Sequence, residues 1–167
     1  MWSIRVVLLI SIIVLLSACG FTLRGQQIPQ SLLSHLTLES TAQHSGLHQS
    51  TQAFFEQQGL TATDSNGNID NTMVLEPENI ERRLLSVFST GQVAEYELIY
   101  NVRYSLSIGE QPPIFYEFVL TREYQDDPRQ VLAKTRELNL VLNELRQEAA
   151  RTIYQRLPAN ITQQLGR

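Results

Sequence analysis

Cysteine is nearly absent. The 167 residues hold one, Cys19, so no disulfide can close within the chain. Lysine is equally scarce: Lys134 is the only one among 13 basic residues, which face 17 acids for a formal charge of -4. A chain with no excess of Lys and Arg is not built to neutralise a phosphate backbone, so no nucleic-acid partner is expected. Internal repeats and low-complexity stretches are missing, and 43% hydrophobic with 18% charged residues argues against a disordered chain. The length suits a single domain. No Gly-x-Ser-x-Gly elbow and no phosphate-binding loop occurs. The chain therefore does not read as an enzyme, and nothing in it calls for a cofactor.

One apolar run stands out. Val6–Leu16 is uncharged, follows Arg5, and is too short for the roughly 17–25 residues of a spanning helix. It ends in Leu16-Ser17-Ala18-Cys19, small residues ahead of a cut. That ending resembles the bacterial lipobox, in which the cysteine thiol is acylated and becomes the new amino terminus. Residues 1–18 read as a lipoprotein signal peptide. A plain secretory signal or a short signal anchor is the alternative, but the single cysteine stands where acylation needs it. Gly20 follows it rather than Asp, which in bacterial lipoproteins leans toward the outer membrane. Each buried methylene contributes about 0.8 kcal/mol and two acyl chains already hold stably, so the body needs no hydrophobic span.

Residues 19–34 read as the acylated terminus and a tether, with Gly20, Gly25 and Pro29 against a helix. His35–Ser40 alternates as a short strand. Residues 45–58 place Leu47, Thr51, Phe54, Phe55 and Gln58 at helical spacing, with Gly59 as a C-cap. Residues 61–71 are loop-like. Thr72–Leu75 and Ile80–Phe88 read as one strand, bent near Pro77, and Ser89–Gln92 as a turn. Between 93 and 108, every second residue from Ala94 to Ile108 is apolar or aromatic, and most of their neighbours are polar. This is a long, half-buried strand. Gly109–Pro113 turns the chain into a further strand, Ile114–Tyr124. Leu138, Val141, Leu142, Leu145, Ala149, Ile153 and Leu157 then form a helical stripe that Pro158 is expected to end. The order β-α-β-β-β-α predicts an α+β two-layer sandwich, with two helices on one face of a four-stranded, mainly antiparallel sheet. The domain is placed at 35–158 and a C-terminal tail at 159–167.

Candidate chemistry is sparse. His44 and His48 stand at i, i+4, as a zinc site wants, but without a third ligand; two turn histidines are the plainer reading, and no metal is expected. Glu76 and Glu78 flank Pro77, and Asp126 adjoins Asp127; such pairs are usually solvated edge or turn residues. Tyr96, Tyr100 and Tyr104 at strand spacing among Leu and Val read as core. Arg82, Arg83, Arg122, Arg129, Lys134 and Arg136 lie near strand ends and the start of the last helix, where they could gather around an anionic headgroup. A mixed, solvated surface is the competing reading.

Cys19-Gly20-Phe21-Thr22-Leu23-Arg24-Gly25 resembles the opening of the LPS-assembly lipoprotein LptE family (rare lipoprotein B). Val87–Tyr96 resembles that family's turn into its long strand, and Leu132-Ala133-Lys134, Arg146–Ala150 and Arg156-Leu157-Pro158 resemble its final segment. The resemblance implies a lipoprotein anchored in the outer membrane by its acyl chains, its body facing the periplasm. It further implies a plug inside the LptD β-barrel that helps the barrel assemble and takes part in lipopolysaccharide transport to the cell surface. Phe88, at a turn where an apolar side chain is unexpected, is then a barrel contact, with Gly91 and Gln92 shaping the turn. Lys134 matches a basic position of the family and is the first choice for a lipopolysaccharide contact, with Arg136, Arg122 and Arg82 as further candidates. Ser89 departs from the pattern, in which the residue after the turn phenylalanine can be basic. A lipoprotein accessory to another envelope assembly, and a periplasmic ligand-binding lipoprotein, are the alternatives. If Cys19 is the acylation site, Cys19→Ala abolishes palmitate labelling and weakens membrane retention; undiminished labelling contradicts it.

Overall fold

The computed structural model describes residues 36–42, 45–60, 71–127 and 129–166. Cys19, the tether and His44 lie outside the described residues. The elements are β1 (Leu36–Ser40), α1 (Gly46–Gln57), β2 (Asn71–Leu75), β3 (Asn79–Val87), β4 (Val93–Ile108), β5 (Ile114–Gln125) and α2 (Val131–Leu165).

The sheet is organised around β4. On one side β5 pairs antiparallel along most of it, from Glu95↔Gln125 to Leu106↔Ile114. On its other side lie two antiparallel strands in line: β2 against Tyr104–Ile108 and β3 against Val93–Asn101. β1 completes the sheet parallel to β2. The α+β architecture is the expected one, with five strands in place of four. The single bent strand expected over 72–88 is two, because Pro77 has no N–H to donate and the ladder breaks across Glu76–Glu78. Glu76 N–H still donates to Arg103 O at 3.0 Å, so both pieces keep to one flank of β4.

The period-two pattern sorts the strands. Leu98, Tyr100, Val102, Tyr104, Leu106 and Ile108 are all buried beneath the helices. Directly opposed residues in an antiparallel pair share a face, so even-numbered residues of β3, β4 and β5 point inward and odd-numbered ones outward until β3 bulges after Leu84. α1 contributes Leu47 and Phe55 to the same core, and α2 contributes Leu145, Ala149, Ile153, Leu157 and Ile161. Ser45 caps α1 by accepting from His48 N–H at 3.2 Å. At the other end Gly59, with φ of +77°, lets Gly59 N–H reach Glu56 O and Leu60 N–H reach Phe55 O, a Schellman closure.

Helix α2 does not stop at Pro158; it runs on to Leu165. Proline removes one backbone donor, at a cost of about 3 kcal/mol in an isolated helix. Tertiary contacts beyond it offset that cost. Asn160 Nδ2 donates to Tyr104 Oη at 2.7 Å, Gln164 Nε2 to Leu106 O at 2.9 Å, and Ile161 is buried. Thr162 Oγ1 also donates to the Pro158 carbonyl at 2.8 Å. Residues 159–165, expected as a tail, are the part of the helix that closes this end of the core.

Glu78, in the β2–β3 connection, joins three elements. Its Oε1 accepts from Leu47 N–H in the first turn of α1 at 2.5 Å, from Tyr100 Oη at 3.2 Å and from Arg146 Nε at 3.0 Å; Oε2 accepts from Arg146 at 3.0 Å. The hydrogen bond to Glu78 raises the Arg146 pKa, and burial followed by the neighbouring carboxylate pushes the Tyr100 phenol well above the usual tyrosine range. Gly46 belongs to the same junction, since a Cβ there would collide with the Arg146 guanidinium. Glu78→Gln is expected to lower unfolding free energy by about 2 kcal/mol, the scale of charge-assisted hydrogen bonds and of a broken part-buried ion pair. Urea denaturation checks this; a loss below about 0.5 kcal/mol, the usual surface effect, would refute it.

Candidate functional site: an apolar and basic tip

The β3–β4 hairpin closes through Ser89, Thr90 and Gly91. Gly91 N–H donates to Phe88 O at 2.9 Å, and Phe88 N–H to Gln92 O at 2.7 Å. This is a turn followed by a left-handed residue, and Gly91 supplies that residue with φ of +82°. A Cβ at Gly91 would meet nothing, so the constraint on it is conformational. Gln92 acts through its backbone carbonyl. The turn leaves Phe88 43% exposed, and Leu84, Leu85 and Val87 are exposed beside it. Leu84 lies on the helix side opposite Tyr96, and the register shift after it sets Val87 opposite Val93 on the outer face.

The basic candidates divide. Arg82 and Arg122 flank Leu98 in one cross-strand row on the helix side of the sheet. Arg122 is met by Glu148 of α2 at 2.5 Å. Lys134, in the first turn of α2, pairs with Glu137 at 2.8 Å and lies 5.6 Å from the centre of the Tyr124 ring, while Tyr124 Oη donates to the Lys134 carbonyl at 2.8 Å. The Glu137 contact is the main reason the Lys134 pKa is raised, so the ammonium stays charged at physiological pH. Burial and then Asp126 push the Tyr124 hydroxyl upward, while Lys134 and Arg82 pull it down. Arg82 and Lys134 therefore share a neighbourhood around Tyr124, while Arg122 is turned to Glu148, fourteen residues along α2 from Lys134. Arg136 does not join it. It is exposed two residues beyond Lys134, about 200° around the helix, in a stripe with the exposed Leu132 and Leu140 at four-residue spacing.

The other candidates have structural roles. Glu78 ties the core together. Asp127 accepts from Arg129 N–H, Arg129 Nε and Gln130 Nε2, which depresses its pKa and shapes the entry to α2. Tyr100 and Tyr104 are core, as their spacing implied, and Tyr104 stacks on Tyr116 at 5.5 Å between ring centres. Leu84, Leu85, Val131 and Leu132 were not foreseen as exposed surface. The available signal was that Leu132 and Leu140 fall outside the helical stripe facing the core.

Chemically, the tip joins exposed aliphatic and aromatic surface to a few cations, each of two already held by a carboxylate. It suits recognition of an amphiphile or a protein wall. The chain matches the model of the lipopolysaccharide-assembly family LptE over residues 34–157. It is 26% identical over 151 residues to an LPS-assembly lipoprotein LptE of Photorhabdus laumondii, covering 90% of this chain and 83% of that one. Identity to the protein of the same name from Yersinia pestis is 28% over 152 residues, covering 90% and 73%. Among solved structures, rare lipoprotein B from Shewanella oneidensis shares the fold at a TM-score of 0.68 with 30% identity, over 77% of this chain and 96% of that one. A lipoprotein B from Nitrosomonas europaea does so at 0.66 with 23% identity, over 88% and 96%. These matches define the class as an α+β lipoprotein of lipopolysaccharide assembly. The chain belongs to the LptE family of lipopolysaccharide-assembly lipoproteins.

Proposed function

We propose that this protein is an outer-membrane lipoprotein that plugs the LptD β-barrel, helps it assemble and takes part in delivering lipopolysaccharide to the cell surface. Family membership supports the general role. The placement of the tip carries the finer reading. The chain enters β1 at Leu36, beside Asn71 and Ile108, at the end of the sheet closed by the β4–β5 turn. Phe88, Arg82 and Lys134 belong to the opposite end. At about 3.3 Å per residue, the 16 residues of β4 separate the two ends by roughly 50 Å. A body anchored through Cys19 thus carries its apolar hairpin and its cations at the end opposite the point where the chain enters β1.

In this reading Phe88 and its apolar neighbours press on the barrel, Gly91 and Gln92 hold the turn that presents them, and Lys134, Arg82 and Arg122 meet phosphate groups of lipopolysaccharide near Tyr124. Arg136 contributes from the separate Leu132–Leu140 stripe. A phosphate with two or three anionic oxygens can outcompete single exposed carboxylates such as Glu137 for these cations. No catalytic step and no cofactor is assigned.

Two substitutions test this reading. Phe88→Asp is expected to weaken recovery of the barrel with the tagged protein by about tenfold or more, as loss of a buried aromatic anchor does. The isolated fold should be unchanged, because the side chain lies outside the core; undiminished recovery removes Phe88 from the interface. Lys134→Asp should reduce lipopolysaccharide binding more than barrel recovery. Equal loss of both, with a lowered unfolding midpoint, would mean misfolding instead.

A further inference from the structure

We propose that the outer face of the β3–β4–β5 sheet, turned away from both helices, is a second docking surface, and that its occupant is a cationic protein surface. This goes beyond the proposed function, because it concerns the face opposite the basic cluster and a different kind of contact.

Charge is segregated across the sheet. Glu81, Glu95, Glu97, Glu117 and Glu123, all the glutamates of these three strands, lie on the outer face. Arg83 and Arg103 are the only cations there among the described residues, whereas Arg82 and Arg122 point to the helix side. The acids are incompletely neutralised. Glu97 stands directly opposite Arg83, with which it pairs, and on its other side directly opposite Glu123, a second carboxylate. Like charges directly opposed across a ladder are unfavourable, and a cation from outside would relieve them.

The face also has an apolar centre. Phe115 is 71% exposed and Val119 55%, on one strand face at four-residue spacing, with Ile99 half-buried on β4. Two open depressions flank them, of about 490 and 520 Å³, and both are lined by Arg103 and Glu117. An exposed apolar centre with a charged rim is the anatomy of a protein interface. Twelve residues along the strands by about 15 Å across three of them gives on the order of 600 Å² of nominal face, approaching the roughly 800 Å² per partner of a standard interface. The sign of the charge selects the occupant. An anionic lipid surface, and a second copy presenting the same face, would both meet like charge.

The test places a photo-cross-linking residue at Val119 of the full-length chain in living cells, with Leu140 on α2 and Phe88 as separate positions. The linked peptides are then sequenced. The expected result is a Val119 adduct to a protein segment carrying Arg or Lys, reduced about tenfold or more by Glu81→Lys with Glu117→Lys. Glu81→Gln with Glu117→Gln should give a smaller loss. Both sites are exposed, and an unchanged thermal midpoint shows that each variant is folded; the neutral pair serves if the reversed pair is not. No adduct at Val119, an adduct to lipid, to a second copy or to the same chain, or one insensitive to both pairs would overturn the proposal. An adduct at Phe88 with none at Val119 would defeat this inference while leaving the barrel reading. A charge-dependent Val119 adduct with no barrel adduct at Phe88 would do the reverse.

Discussion

The Glu78 carboxylate holds the fold at the point where its sequence is most awkward. Pro77 interrupts the strand flanking β4, and the chain must resume in line a few residues later. Glu78 fixes that restart by accepting from α1 backbone, from Tyr100 of β4 and from Arg146 of α2. A carboxylate at a helix N-terminus is favoured by the helix dipole, and a two-pronged arginine contact adds direction to charge. Removing either partner would leave the other part-buried without its counter-charge. Through this junction the short helix, the broken strand and the long helix share one geometry, and β3 keeps its register against β4 from there to Leu84.

From that junction the molecule extends in two unlike directions. Toward the β4–β5 turn, α1 and the C-terminal half of α2 seal the core, with Asn160 and Gln164 satisfying Tyr104 and the Leu106 carbonyl. Toward the hairpin, α2 continues past Arg146, where Gly46 of α1 packs against it, to Lys134 beside Tyr124. Leu84, Arg82 and Phe88 are left exposed, and Lys134 and Arg82 both act on Tyr124. One end is built for stability and the other has surface to spare for contact. The sheet's two faces divide as well: the glutamates of β3, β4 and β5 all lie outside with Arg83 and Arg103, and the helix side carries Arg82 and Arg122 with no acid.

Period-two alternation made the sheet legible, because β4 keeps strict parity for its whole length and each opposed residue inherits its face. The exposed Phe88 was legible too, since a bulky apolar residue beside a Ser-Thr-Gly turn has nowhere to be buried. Pro158 misled because local propensity argues for a stop, whereas buried Ile161 and two amide hydrogen bonds beyond it outweigh one missing donor. The Glu78–Arg146 contact spans 68 residues, and no spacing rule exposes such a pair. The basic candidates were identifiable as residue types, but their grouping was not. Strand register sets Arg82 and Arg122 on either side of Leu98, the docking of α2 brings Lys134 to Tyr124 near Arg82, Glu148 draws off Arg122, and Arg136 is carried away by helical rotation.

The most direct test of the plug account is affinity purification of the tagged, full-length protein from detergent-solubilised outer membranes, with quantitative mass spectrometry of what accompanies it. The account predicts one large β-barrel in equal molar amount, retained through washing at moderate salt. Recovery of the lipoprotein alone, or with only substoichiometric and variable companions, would contradict it. The fold and the family would stand, but the partnership with the barrel would not.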